Sequence, residues 1–210
     1  MKFADDVESA PRRTITGLYW YQGSTRHDLV SCAHPARSDG RYHRQGGNGV
    51  WYGSDQEQAA WAELFRHFVD EGVDPFEVRR RIGRVRVHLD VLDLTDARVR
   101  AHLRIDENDL SGDDYILTQL IASAAERAGF EGVLAPSAVL PGRRTLVVFQ
   151  TAVRSLAAER SEIRQPPPRL ADLIRLVRPH PNVPLSVRER LTAIAATGSG
   201  AIRRIRRRSS

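Results

Sequence analysis

The chain has 210 residues, 41% of them hydrophobic, and a formal net charge of +6. That length allows one sizeable domain plus an appendage, with a composition ordinary for a globular chain. Cys32 is the one cysteine, which excludes an intrachain disulfide and a cysteine-based metal site. No apolar run approaches the ~20 residues of a membrane-spanning helix.

The charge is unevenly spread. Residues 160–210 hold 12 Lys+Arg against 3 Asp+Glu, a net +9, which leaves −3 for residues 1–159. The basic character therefore belongs to the C-terminal end, and the body is no evident polyanion binder. Residues 1–13 lack an apolar h-region, so they are expected to be a flexible N-terminus and not a signal peptide. A reducing, cytoplasmic setting follows as the expectation.

Residues 14–22, TITGLYWYQ, combine β-branched and aromatic side chains and predict an opening strand. Packing of Trp20 between sheet and core is one reading of its place there. Residues 23–49 have the composition of a loop, broken at His34–Pro35 and Gly-rich at Gly46, Gly47 and Gly49. Unstructured stretches of that length usually serve a ligand. Seven histidines are scattered through the chain with no H-x-E or HExxH pattern, so no metal is expected.

A short strand at Val50–Tyr52 leads to an N-cap at Ser54 or Asp55, with Glu57 placed as a capping-box carboxylate. In the helix that follows, Ala60, Trp61, Leu64, Phe65 and Phe68 recur at helical spacing and form one apolar face. Glu63 and His67 share its edge. A rim carboxylate after a loop carrying Arg41, His43 and Arg44 suits a ligand with phosphate and sugar.

The chain turns at Gly72 and Pro75. Residues 83–96 then alternate, with Val85, Val87, Leu89 and Val91 on one side and Arg84, Arg86, His88 and Asp90 on the other, which predicts a half-buried strand. A short acid-capped helix follows. YILTQLIASAAERAGF predicts a second long helix that buries Ile116, Leu120 or Ile121, and Ala124, and ends at Gly129. Gln119 either faces the same pocket as Glu63 or holds backbone as a buried amide. Two strands surround a Pro-Ser-Ala break and a Pro-Gly turn. Ser137 there is a ligand-facing hydroxyl or the cap of a local turn. It is no nucleophile elbow, because G-x-S-x-G is missing.

Residues 156–168 end in three prolines and predict a stiff linker. In the tail, residues 169–210, RLADLIRLV and SVRERLTAIAA are short amphipathic candidates, and the arginine-rich end is solvated or binds nucleic acid or an anionic surface. Association with a second copy of the chain stays open.

GRYHRQG, VWYGS and AWAEL, with DLSGDDYILTQLIASAAERAGFEGVLAPSAVLPG at residues 109–142, resemble the RES domain family. The resemblance implies an α+β domain over residues 14–155, with a mixed, mainly antiparallel sheet flanked by helices and an ADP-ribosyltransferase-like fold. It implies a toxin of a bacterial toxin–antitoxin pair, blocked by a cognate antitoxin. The reaction would consume NAD as substrate, by phosphorolysis or hydrolysis, or ADP-ribosylate a target. The alternative is a degenerate, non-catalytic nucleotide- or nucleic-acid-binding member. Glu63 and Arg41 would be catalytic, and Tyr21, Arg26, Arg41, Tyr52, Gln119 and Ser137 would hold the dinucleotide. The family's first strand carries an arginine where this chain has Trp20, which leaves Arg26 or Arg41 to supply that cation.

Overall fold

A computed structural model describes residues 2–32, 39–70 and 75–167, with main chain alone at 2, 67–70 and 75. His34–Pro35, the turn at Gly72, the side chains of His67 and Phe68, Pro168 and the tail lie outside the described residues.

Six strands make one mixed sheet in the order β1-β2-β5-β4-β3-β6: β1 Arg12–Gly23, β2 Val50–Ser54, β3 Arg80–Asp93, β4 Gly132–Pro136, β5 Arg144–Phe149 and β6 Ala157–Arg164. Every pairing is antiparallel except β3 with β4. β1 pairs along its length with β3 and, through Trp20 and Ser54, with β2, so the sheet curls back on itself. The enclosed face holds Ile15, Trp51, Val85, Val87, Leu89, Val91, Leu146 and Val148. The alternation expected for β3 is the one observed: its four aliphatic positions are buried, and Arg84, Arg86 and His88 are exposed.

The helices are α1 Lys2–Glu8, α2 Glu57–Asp70, α3 Ala97–Leu103, α4 Glu107–Ser111 and α5 Ile116–Arg127. α3 is acid-capped, since the Asp96 side chain accepts from the Arg98 N–H at 2.8 Å. α1, α3, α4 and α5 pack on one side of the sheet around Leu92, Ile121, Val133 and Phe149. α2 buries Trp61, Leu64 and Phe65 against Ile82, Val139 and Leu140 on another. At the end of α5, Gly129 adopts φ +77° and Phe130 donates to the Ala125 carbonyl, a glycine helix stop.

Several local expectations are corrected. Residues 2–8 form α1, with Val7 fully buried, and the first strand begins at Arg12, where the composition suggests a flexible N-terminus up to residue 13. Arg12 anchors this start by donating to the carbonyls of Gly129 and Ala128 and lying 4.2 Å above the Phe130 ring. The expected linker over 156–168 contains β6. Its exposed, charged sequence gives no apolar alternation because β6 is held by backbone pairing to β3, and its charges by Arg84 and Arg86 against Glu159. Ile116 and Leu120 are exposed, because α5 turns Ile121, Ala122, Ala124 and Ala125 to the core. The residues expected to cap α2 make tertiary or side-chain contacts: Asp55 pairs with Arg144, and Glu57 with Trp61 Nε1 and Arg164.

Candidate active site

A cavity of about 530 Å³ opens where the middle of α2, the ends of β1 and β2, and the turn at residues 39–43 converge. That turn is closed by the Gly40–His43 bridge. A Cβ at Gly40 would lie 2.1 Å from the His43 ring, so the close approach requires glycine. Thr118 Oγ1 ties the turn to α5 by donating to the Arg41 carbonyl at 2.5 Å.

Glu63 lines the cavity, partly buried, on the face of α2 that also presents Ala60 and Arg66. Arg41 lines it from the turn. Its Nη1 donates to the carbonyls of Leu110 (3.1 Å) and Gly112 (2.6 Å), and its guanidinium lies 4.7 Å above the Tyr115 ring. The Tyr52 hydroxyl oxygen accepts from the Tyr42 backbone N–H at 3.1 Å and lies 3.1 Å from His43 Nδ1. Tyr21 stacks on Trp51 with ring centroids 5.7 Å apart. The structure thus brings Glu63, Arg41, Tyr52 and Tyr21 to one cavity.

Three other expected site residues do not line it. Arg26 is exposed, on a turn where its own N–H bonds to Ser24 Oγ. Gln119 donates to the carbonyls of Gly40 and His43 and so holds the turn from behind. Ser137 is buried, and its Oγ accepts from the N–H groups of Val139 (3.3 Å) and Leu140 (3.1 Å), which is the turn-capping reading of this hydroxyl. Its neighbours Pro136 and Ala138 reach the cavity instead. Trp20 lines the cavity as well as packing against the α2 cluster.

Sequence reasoning missed Arg66, Arg80 and Tyr42, all on the cavity wall. Arg66 carried a legible signal, its place three residues after Glu63 on one helical face. Arg80 carried none; it reaches the wall because β3 pairs its start with the end of β1, where Gln22 Oε1 accepts from Arg80 Nε at 3.0 Å. The Tyr42 hydroxyl is enclosed and has no hydrogen-bond partner among the described residues.

The electrostatics follow from enclosure. Burial pushes the phenols of Tyr42 and Tyr52 well above their usual range, and the N–H from Tyr42 pulls Tyr52 partly back. Burial also raises Tyr21, against the opposing pull of Arg80. The wall therefore combines neutral phenols, guanidinium groups and the Glu63 carboxyl, a set suited to an anionic ligand that develops local positive charge. Among the described residues, no group of three or more His, Cys, Asp or Glu is placed to hold a metal ion, and no helix is long and apolar enough to cross a membrane.

Comparison with known proteins agrees with this architecture. The chain is similar, at 62% identity over 207 residues, to the Mycobacterium tuberculosis protein named probable NAD(+) phosphorylase Rv3189, a match covering 99% of this chain and 100% of that protein. Its fold is similar to a chain in the crystal structure of the M. tuberculosis MbcT–MbcA toxin–antitoxin complex. The TM-score is 0.69 at 23% identity, covering 78% of this chain and 92% of that one. The family model described as RES domain matches residues 10–178, which takes in every strand and the whole cavity wall, and the chain belongs to the RES domain family.

Proposed function

We propose that this chain cleaves the nicotinamide–ribose bond of NAD with inorganic phosphate as acceptor. The observation that carries the reading is the position of Glu63, partly buried in the middle of α2 on a cavity wall that also presents Arg41, Arg66, Arg80, Tyr21, Tyr52 and Trp20. The 62%-identical relative's name, a probable NAD(+) phosphorylase, supports it.

The chemistry asks for such a wall. Breaking the bond from ribose C1′ to the nicotinamide nitrogen sends the bonding pair to the leaving group, which departs neutral, and leaves an oxocarbenium-like ribose. A carboxylate beside that ribose stabilises charge that exists only near the transition state, which is where binding accelerates a reaction. A phosphate oxygen then bonds to C1′, giving ADP-ribose 1″-phosphate and nicotinamide. Arg41 and Arg80 neutralise the ligand's phosphates, Trp20 offers a face for a ring, and the phenols of Tyr52 and Tyr21 complete the enclosure.

An enzyme that drains a cytoplasmic NAD pool harms its own cell. The proposal therefore includes a protein antitoxin that covers the cavity, in keeping with the toxin–antitoxin complex of the structural relative. A second reading, a non-catalytic nucleotide binder, is favoured by Trp20, which places an indole on the wall where the family's first strand carries a cation. Incubation of the purified chain with NAD, with and without phosphate, separates the two. Nicotinamide release with ADP-ribose 1″-phosphate supports the enzyme; intact NAD under both conditions overturns it.

A further inference from the structure

Arg66 is the cavity-wall cation to which the proposed reaction assigns no task. Its residue is only 6% exposed, and its Nη2 donates to Asp113 Oδ1 at 3.0 Å. The Asp113 side chain is 42% exposed, so water shares the ion pair and the pair does little to offset burial of the guanidinium. The remaining N–H donors of Arg66 have no partner among the described residues.

Arg41 reaches the same short segment. It donates to the carbonyls of Leu110 and Gly112, while Arg66 holds the side chain of Asp113, the next residue. The two guanidinium groups, 25 positions apart in sequence, are thus fastened to consecutive residues of one loop and both line the cavity. Both guanidinium groups thus face one cavity, and guanidinium forks match the oxygens of a tetrahedral phosphoryl group. Glu63 sits one helical turn before Arg66 on the same face of α2, so an anion held by Arg66 lies beside the carboxyl assigned to the ribose.

We propose that Arg66 and Arg41 together form a seat for a phosphoryl oxyanion. The occupant is either the free phosphate that attacks the ribose or the pyrophosphate of the dinucleotide. This rests on reading the cavity as an NAD-cleaving site, and the test separates the two claims.

In the full-length chain, calorimetry with inorganic phosphate alone reads the seat without any turnover. Arg66→Gln is expected to weaken phosphate binding about tenfold or more, the loss of one charge-assisted fork. Arg66→Lys should restore part of it, and Asp113→Asn should leave it close to wild type. Steady-state kinetics then assigns the occupant. A KM for phosphate raised about tenfold with the NAD KM little changed identifies the attacking phosphate; the reverse pattern identifies the pyrophosphate. The seat is overturned if folded Arg66→Gln keeps phosphate affinity and both KM values, or if Asp113→Asn reproduces every effect of Arg66→Gln, since Arg66 is then only an ion-pair strut. Should Arg66→Gln fail to fold, Arg66→Lys decides: weakened phosphate or NAD binding supports the seat, and unchanged binding overturns it. A wild type that binds phosphate and cleaves no NAD refutes the proposed reaction while leaving the seat standing.

Discussion

Gln119 Nε2 donates to the carbonyl of Gly40 at 3.0 Å and to that of His43 at 3.2 Å, so one side chain of α5 fastens both ends of the turn that carries Arg41. Gln119→Leu leaves those carbonyls without this donor and is expected to cost about 1–2 kcal/mol of stability. It should also raise the KM for NAD, because Arg41 loses its fixed position. Melting scans and steady-state kinetics check both; an unchanged KM would show that the turn holds its shape without the latch.

Glu63→Gln should keep the melting temperature near wild type, since Glu63 belongs to the cavity wall and not to the apolar cluster of Trp61, Leu64 and Phe65. Turnover should fall by roughly two to three orders of magnitude, the scale of losing one electrostatic stabiliser of the transition state. Nicotinamide release by the purified variant is the measurement, and wild-type turnover would remove Glu63 from the chemistry.

The cation that grips the ligand in place of one at Trp20 is expected to be Arg80. Arg80 lines the cavity and bonds to Gln22, whereas Arg26 points to solvent. Arg80→Ala should weaken NAD binding by about tenfold, in line with a charge-assisted hydrogen bond of ~1.5 kcal/mol or more. Arg26→Ala should bind as wild type does. Calorimetry that finds the order reversed would place the dinucleotide elsewhere.

Tyr42 and Tyr52 share an alkaline sensitivity and differ in one respect that stability at neutral pH reads. Both phenols are held above their ordinary value of 10 by burial, so each binds its proton more tightly in the folded chain than in the unfolded one. Their contribution to stability is therefore complete below about pH 10 and is lost as the pH rises above it. Tyr42→Phe removes a hydroxyl without a partner, so it should be near neutral at pH 7 and raise the midpoint of alkaline unfolding. Tyr52→Phe removes the acceptor of the Tyr42 N–H and should cost about 1 kcal/mol at pH 7. Denaturation at pH 7 and across the alkaline range tests the contrast; equal effects of the two variants would contradict it.

Local pattern carried part of this molecule. The period-two alternation of β3 and the glycine stop of α5 are properties of adjacent residues, and the structure keeps both, together with Trp61, Leu64 and Phe65 of the apolar face expected for α2. The motif blocks around Arg41 and Glu63 marked the family, and Tyr21 and Tyr52 do reach the cavity. Tertiary structure decided what depends on distant partners. β6 exists because β3 offers it a backbone edge, although its own side chains are mostly exposed. Gln119 and Ser137 have polar ends that suit a ligand equally well, and only the carbonyls of the turn and the N–H groups of Val139 and Leu140 show where those ends are spent. Arg41 and Arg66 are fastened to one segment because the end of α4 and the residues after it, Leu110–Asp113, accept from both, and Arg80 reaches the wall through strand register. A buried charge is placed by whatever compensates it, and here the compensating groups lie far along the chain.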